Sequence, residues 1–204
     1  MLVINEKDPN AAKIAAEFLR YGRVISFATD TVYGIAVDAQ NSRAVEALYK
    51  IKNRDEKKPI AVFLKDLAAA EEIFLFDNLA KKIAKKYFPG ALTLVLKTQD
   101  KAKSSLASNL NSDSENFLGF RIVDTDLIKK LFAEFDGAIA VTSANIAGQK
   151  AAIAPQEVEK NLGNIDLLIS GPTLENMPST VVKIIDNQLT ILREGALKIN
   201  PRGL

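Results

Sequence analysis

The chain contains neither cysteine nor histidine. That removes disulfides, zinc fingers, thiolate catalysis, a Ser-His-Asp triad and any histidine-ligated metal. Proton transfer has to use lysine, tyrosine, a carboxylate or the substrate. The glycine-rich phosphate loops are missing as well: neither GxGxxG nor GxxxxGK[ST] occurs, so neither a Rossmann nor a P-loop reading is supported. No apolar run approaches the ~20 residues needed to span a bilayer, and MLVINEKDPNAAKI has no basic start leading into an apolar stretch. No membrane segment is expected, and the setting expected is reducing and cytoplasmic. A strong charge of either sign is lacking too. With 27 Lys+Arg against 25 Asp+Glu the formal charge is +2, far from the basic excess of a dedicated nucleic-acid binder, although a local basic patch stays open.

What is present is ordinary globular composition, 48% apolar and 25% charged over 204 residues. At this size folding buries about 70% of the unfolded chain's surface. Disorder as the main state is excluded, and a single domain over 1–204 is expected.

The periodicities alternate between helix and strand. Asp8-Pro9, then Ile14, Phe18 and Leu19 on one stripe, then Gly22, predict a helix with Asp8 as N-cap and Pro9 in its first turn. Arg23–Ala28 and Ile35–Ala39 read as strands around the turn TDTVYG, after which Asn41 caps a helix through Val45, Leu48 and Tyr49. Strands are expected at 59–64, 91–98, 117–123, 138–142, 166–170, 179–186 and 189–192, the last two joined through Asn187-Gln188. Helices are expected at 66–73, 77–88, 126–135 and 155–162. The polar segment Lys101–Asn116 reads as a mobile loop and a candidate lid. About eight strands interleaved with five or six helices make an α/β domain with a twisted, mixed parallel and antiparallel sheet.

Three stretches carry candidate chemistry. Thr29-Asp30-Thr31-Val32-Tyr33-Gly34 places hydroxyls, a carboxylate and a phenol at the carboxyl end of a predicted strand, where open α/β sheets bind ligands. The same residues would serve a plain turn by hydrogen-bonding its backbone, and spacing does not decide between the two. Lys52-Asn53-Arg54-Asp55-Glu56-Lys57-Lys58-Pro59 brings four cations to a helix C-terminus. They either complement the helix dipole as solvated surface or clamp a triphosphate, Arg as a bidentate fork and Lys as a mobile charge. Thr142-Ser143-Ala144-Asn145 lies at a second carboxyl edge, where small side chains allow close approach to the backbone, or where it simply makes a turn.

Taken in order, TDTVYG, KNR with KKP, FRI, TSAN, PSTVV and LREGA span positions 29–196 and resemble the YrdC/TsaC family, the threonylcarbamoyl-AMP synthases. The resemblance implies a YrdC-like sheet with a deep, positively lined cleft. It implies the conversion of L-threonine, bicarbonate or CO2, and ATP to threonylcarbamoyl-AMP and pyrophosphate, an intermediate for t6A37 modification of tRNA. Catalytic roles carry over to Lys52, Arg54, Ser143 and Asn145. Nucleotide contacts carry over to Arg54, Lys58, Phe117, Ser143 and Arg193, and threonine contacts to Thr31, Arg121, Val141 and Ser179. A nucleotide-bound Mg2+ and hand-off to the enzymes that transfer the threonylcarbamoyl group to tRNA are implied, with no protein metal site. Phe63 stands where some relatives place a histidine and Ala151 where some place a serine, so these contacts are not carried over. Since the chain ends soon after LREGALKINPRGL, it resembles the single-domain form. The competing readings are a family member that binds tRNA or double-stranded RNA on the same concave surface, and a nucleotide-binding paralogue with another acceptor.

Overall fold

The computed structural model describes residues 1–56, 58–100, 102, 105–110 and 115–200. Ten strands form one sheet: β1 Leu2–Asn5, β2 Ile25–Ala28, β3 Tyr33–Asp38, β4 Ala61–Phe63, β5 Leu92–Lys97, β6 Phe117–Arg121, β7 Ile139–Ser143, β8 Leu167–Ser170, β9 Thr180–Ile185 and β10 Gln188–Arg193. Six helices join them: α1 Ala11–Arg20, α2 Ser42–Lys52, α3 Leu67–Ile73, α4 Asn78–Tyr87, α5 Asp126–Glu134 and α6 Pro155–Asn161. The strand order is β1-β8-β2-β3-β7-β4-β6-β5-β9-β10. Parallel pairs (β1 with β8, β8 with β2, β4 with β6, β5 with β9) alternate with antiparallel ones, so the sheet is mixed as expected.

Local chemistry explains most boundaries. Asn41, Asp66, Asp77 and Thr125 each accept a backbone N–H of the first turn that follows and start α2, α3, α4 and α5. The first helix departs from the expectation. Asp8 builds a turn, its carboxylate accepting from the Asn10 amide and its carbonyl from the Ala11 amide, so α1 begins after it with Asn10 at the cap. Asp186 and Asn187, both with positive φ, make the β9–β10 turn one residue earlier than expected, which suits a two-residue hairpin. Strand β1 was not expected; LVIN is too short to show a period, and pairing with β8 defines it. Among the described residues no helix is long and apolar enough to cross a membrane.

Alternation along the strands divides the core. On one face Ile25, Phe27, Ala36, Ile139, Val141, Leu167 and Ile169 meet α1 and α5. On the other, Ile35, Val37, Val62, Leu94, Phe120 and Leu168 meet α2, α3, α4 and α6. The cluster beneath α1 and α5 ends at Phe63 and Val141. Beyond them, over β4, β6, β5 and β9, the same face bears Ala61, Gly119, Val95 and Val181 with no helix packed on it.

The expected lid over 101–116 lies partly outside the described residues. Within them, Ala107 and Leu110 are buried in the core beneath α2, and the Ala107 amide donates to the Ala39 carbonyl. The described residues of that stretch do not line the cavity that opens over β4, β6, β5 and β9.

Phe120 anchors the far half of the sheet, fully buried and ringed by Phe74, Phe88 and Phe76 at centroid distances of 4.7, 5.2 and 5.8 Å. Truncation there leaves a cavity among rigid rings. Phe120→Ala is expected to lower the unfolding free energy by about 3–5 kcal/mol in urea titration. A loss below about 1 kcal/mol would mean that this core collapses around the deletion.

Candidate active site

The uncovered half-face is the floor of a cavity of about 430 Å³. Registers place Phe63, Arg121, Thr93 and Val181 in one cross-strand row and Ala61, Gly119, Val95 and Lys183 in the next. Gly119 keeps the floor low: a Cβ there would stand 3.0 Å from Thr93 Cγ2 and 3.5 Å from Ala61 Cβ and Val95 Cγ2. Gly34 does the same at one wall, where a Cβ would lie 2.9 Å from Val141 Cγ1.

At the deep end Arg121 is buried, and its guanidinium donates to Asp30 Oδ1 at 2.7 Å, Thr31 Oγ1 at 3.1 Å and the Gly90 carbonyl at 3.2 Å. Burial pulls the Arg121 pKa down and the Asp30 carboxylate opposes that shift. Phe63 lies against the same group, its ring centroid 5.4 Å from the guanidinium carbon. The Arg121 Nε–H is buried and has no acceptor among the described residues. The TDTVYG loop is itself tightly bonded, Thr29 Oγ1 donating to the Val32 carbonyl at 2.6 Å and accepting from the Thr31 and Val32 amides. The turn reading of that loop is seen in the Thr29 bonds, and Thr29 and Thr31 both line the cavity.

Ser179 and Arg193 form a second wall. Ser179 Oγ is 2.8 Å from Thr93 Oγ1, and Arg193 donates from Nη2 to the Ser179 carbonyl at 2.8 Å and to its hydroxyl at 3.2 Å. Opposite, Arg54 is tied to the Lys58 and Pro59 carbonyls, both at 3.0 Å. Desolvation lowers the pKa of Arg54, and desolvation with the charges of Arg121 and Arg54 lowers that of Arg193.

Ser143 reaches the cavity from the end of β7, with Asn145 and Lys52 behind it. Ser143 Oγ donates to Asn145 Oδ1 at 2.6 Å, Lys52 Nζ donates to the same oxygen at 3.1 Å and to the Ser143 carbonyl at 2.5 Å, and the Asn145 amide donates to the Ile146 and Gln149 carbonyls. Lys52 is only 2% exposed. Desolvation, helped by the Arg54 charge, lowers its pKa to about 7.

Of the residues named from the sequence, Thr31, Arg54, Phe117, Arg121, Val141, Ser143, Ser179 and Arg193 line this one cavity. Lys52 and Asn145 stand behind its wall, and Lys58 is exposed outside it, contributing its carbonyl. Ala151 lies outside the lining as well, and Phe63 inside it. Sequence reasoning missed Thr93, Gly119 and Lys183. Alternation within the predicted strands carried the signal, since Ser179, Val181 and Lys183 share a parity, as do Phe117, Gly119 and Arg121.

Among the described residues, four cations, Arg54, Arg121, Arg193 and Lys183, and no carboxylate line the cavity. The fold and this cavity define an α/β protein with a concave, cationic pocket of small-molecule size. The chain belongs to the Sua5/YciO/YrdC family, whose model, described as telomere recombination, matches residues 17–195. It is 32% identical over 205 residues to a protein of Methanocaldococcus jannaschii provisionally named threonylcarbamoyl-AMP synthase, covering 98% of this chain and 94% of that one. It is also 32% identical over 197 residues to the threonylcarbamoyl-AMP synthase of Bacillus subtilis, covering 95% of this chain and 56% of the relative. The structure of Pyrococcus abyssi Sua5 complexed with L-threonine superposes with a TM-score of 0.85 at 26% identity, over 95% of this chain and 57% of that one. The chain thus spans little more than half of the last two proteins and nearly all of the first.

Lys52 sets a pH dependence. In the unfolded chain its amine titrates near 10.5, in the fold at about 7, so between these values the unfolded state holds more protons and folding stability gained from this residue rises with pH. Comparing wild type with Lys52→Met by denaturant unfolding, the difference should move in favour of wild type from pH 7 to 9, by at most about 1.4 kcal/mol per pH unit. A flat difference would place the ammonium in better-solvated surroundings.

Proposed function

We propose that the chain is an L-threonylcarbamoyladenylate synthase, a nucleotidyltransferase forming threonylcarbamoyl-AMP and pyrophosphate from L-threonine, bicarbonate or CO2, and MgATP. The observation that carries this reading is one cavity lined both by hydroxyls around Arg121 and by the cations Arg54 and Arg193. The names of the relatives point to the same reaction.

The threonine amine adds to CO2 to give a carbamate, losing a proton. A carbamate oxygen then attacks the α-phosphorus and pyrophosphate leaves as the P–O bond breaks. Such a displacement depends chiefly on positioning and charge neutralisation, which this cavity can supply without histidine. The spare Nε–H of Arg121 suits the threonine carboxylate, with Thr31, Ser179 and Val141 around the rest of the amino acid. Arg54, Arg193 and Ser143 suit the phosphates, and Phe117 the nucleoside. Lys52 and Asn145 act by holding Ser143 in place rather than by touching substrate. In this reading Mg2+ arrives on the triphosphate, held chiefly by the phosphate oxygens.

The cations point into a concavity and not along an exposed face, which favours a small polyanion over an RNA backbone. The product is a reactive mixed anhydride, and in this reading it feeds t6A37 formation in the cytoplasm through the enzymes that transfer the threonylcarbamoyl group to tRNA.

Purified protein with MgATP and bicarbonate should release pyrophosphate only when L-threonine is present, with threonylcarbamoyl-AMP seen by mass spectrometry. Pyrophosphate without threonine would instead indicate another acceptor. Arg54→Ala should lower the rate about a hundredfold or more, the scale for losing one charge-stabilising donor, with melting within a few degrees of wild type. Ser179→Ala should raise the KM for threonine more than that for ATP, because Arg193 keeps its bonds to the Ser179 carbonyl. Equal effects on the two substrates would remove Ser179 from the amino-acid end.

A further inference from the structure

Lys183 stands on the cavity floor with no part yet assigned to it. It sits in register with Val95 on β9, two positions past Val181, so its stem crosses the floor beside Gly119 and Phe117. Its Nζ lies 3.7 Å above the centroid of the Phe117 ring and 3.8 Å from a Glu115 carboxylate oxygen. The Glu115 pair is long and that side chain is 69% exposed, so water screens it. The Lys183 side chain is 23% exposed, so the close cation–π contact is what chiefly holds the ammonium, and a neutral ring offers a cation less than a polyphosphate does.

The other cavity cations are fixed differently. Arg54 and Arg193 are held by backbone carbonyls and Arg121 by Asp30, so their guanidiniums are set in place before any ligand arrives. Lys183 alone among the four rests on a flexible four-carbon stem against a surface that competes poorly with phosphate. A ring face can hold a cation or a flat base, but not both at once.

We propose that Lys183 is a further nucleotide-binding residue of this site: on binding, its ammonium leaves the Phe117 ring for the phosphate chain of MgATP, and the vacated ring face stacks the base. One side-chain movement therefore opens the stacking surface and adds a positive charge beside Arg54 and Arg193. The inference rests on the nucleotide site of the proposed synthase and concerns ligand binding, not the transfer step.

Calorimetric titration of wild type, Lys183→Met and Lys183→Arg with MgATP, pyrophosphate and adenosine separates the possibilities, alongside the threonine-dependent assay. Lys183→Met keeps the stem and removes the charge. It should bind MgATP and pyrophosphate at least about tenfold more weakly, the scale of one charge-assisted contact. Adenosine should bind equally or more tightly, and the KM for threonine should stay unchanged. Lys183→Arg should retain most of the MgATP affinity. Unchanged MgATP binding in Lys183→Met would overturn the proposal, as would an equal loss for adenosine, which would make Lys183 only a prop for Phe117. If Lys183→Met folds poorly, Lys183→Gln is read against the same expectations. Wild type that binds MgATP yet makes no product would defeat the synthase reading and leave this one standing. Wild type that binds no nucleotide would defeat both.

Discussion

One face of the sheet runs out of helices halfway across. Strands β8, β2, β3 and β7 are closed by α1 and α5, whereas beyond Phe63 the same face of β4, β6, β5 and β9 has no helix packed on it among the described residues. A sheet face left uncovered has to be polar or carry a ligand, since bare apolar strands would invite association. Here it carries small residues in the middle, Ala61 and Gly119, and polar ones around them, Thr93, Arg121, Ser179 and Lys183. The site therefore follows from the layer arrangement: the opposite parity of the same strands, with Phe120 at its centre, supplies the rigid core that keeps this floor flat.

Electrostatics builds on that frame. Three arginines from segments distant in the chain converge on a space that no carboxylate lines, and burial draws down the pKa of each. Concentrating like charge is unfavourable in the free protein. It is offset where Arg121 meets Asp30 and where backbone carbonyls receive Arg54 and Arg193. What is left over is a standing positive field suited to a polyphosphate, with donors already oriented. The Lys52–Asn145–Ser143 set adds an orienting network whose cation is drawn down to about 7, so near neutral pH the wall behind the serine carries only part of a further charge.

Much of this was legible along the chain. Asn41 read as a cap, and the helices expected from 66, 77 and 126 start at the caps Asp66, Asp77 and Thr125, because a side-chain oxygen a few atoms from the N–H groups is a local matter. Motifs at strand ends, TDTVYG and TSAN, indicated the site because a strand's carboxyl end is where the sheet opens. Less legible were β1, which exists only by pairing with β8, and the start of α1, where Asp8 closed a turn in place of a cap. Lys52, in a run of charges, read either as solvated surface or as part of a phosphate clamp, and the contacts of α2 with Ser143 and Asn145 show it buried.

The sequence by itself determined the class of fold, the absence of thiol and imidazole chemistry, and the identity of most residues that line the cavity. These depend on composition, on period and on short motifs, all of which are properties of neighbouring positions. The tertiary structure decided which cations face one another, which stand behind the wall, and that Lys183 rests on Phe117. Those relations join residues dozens of positions apart through strand order and register, and no local pattern encodes either.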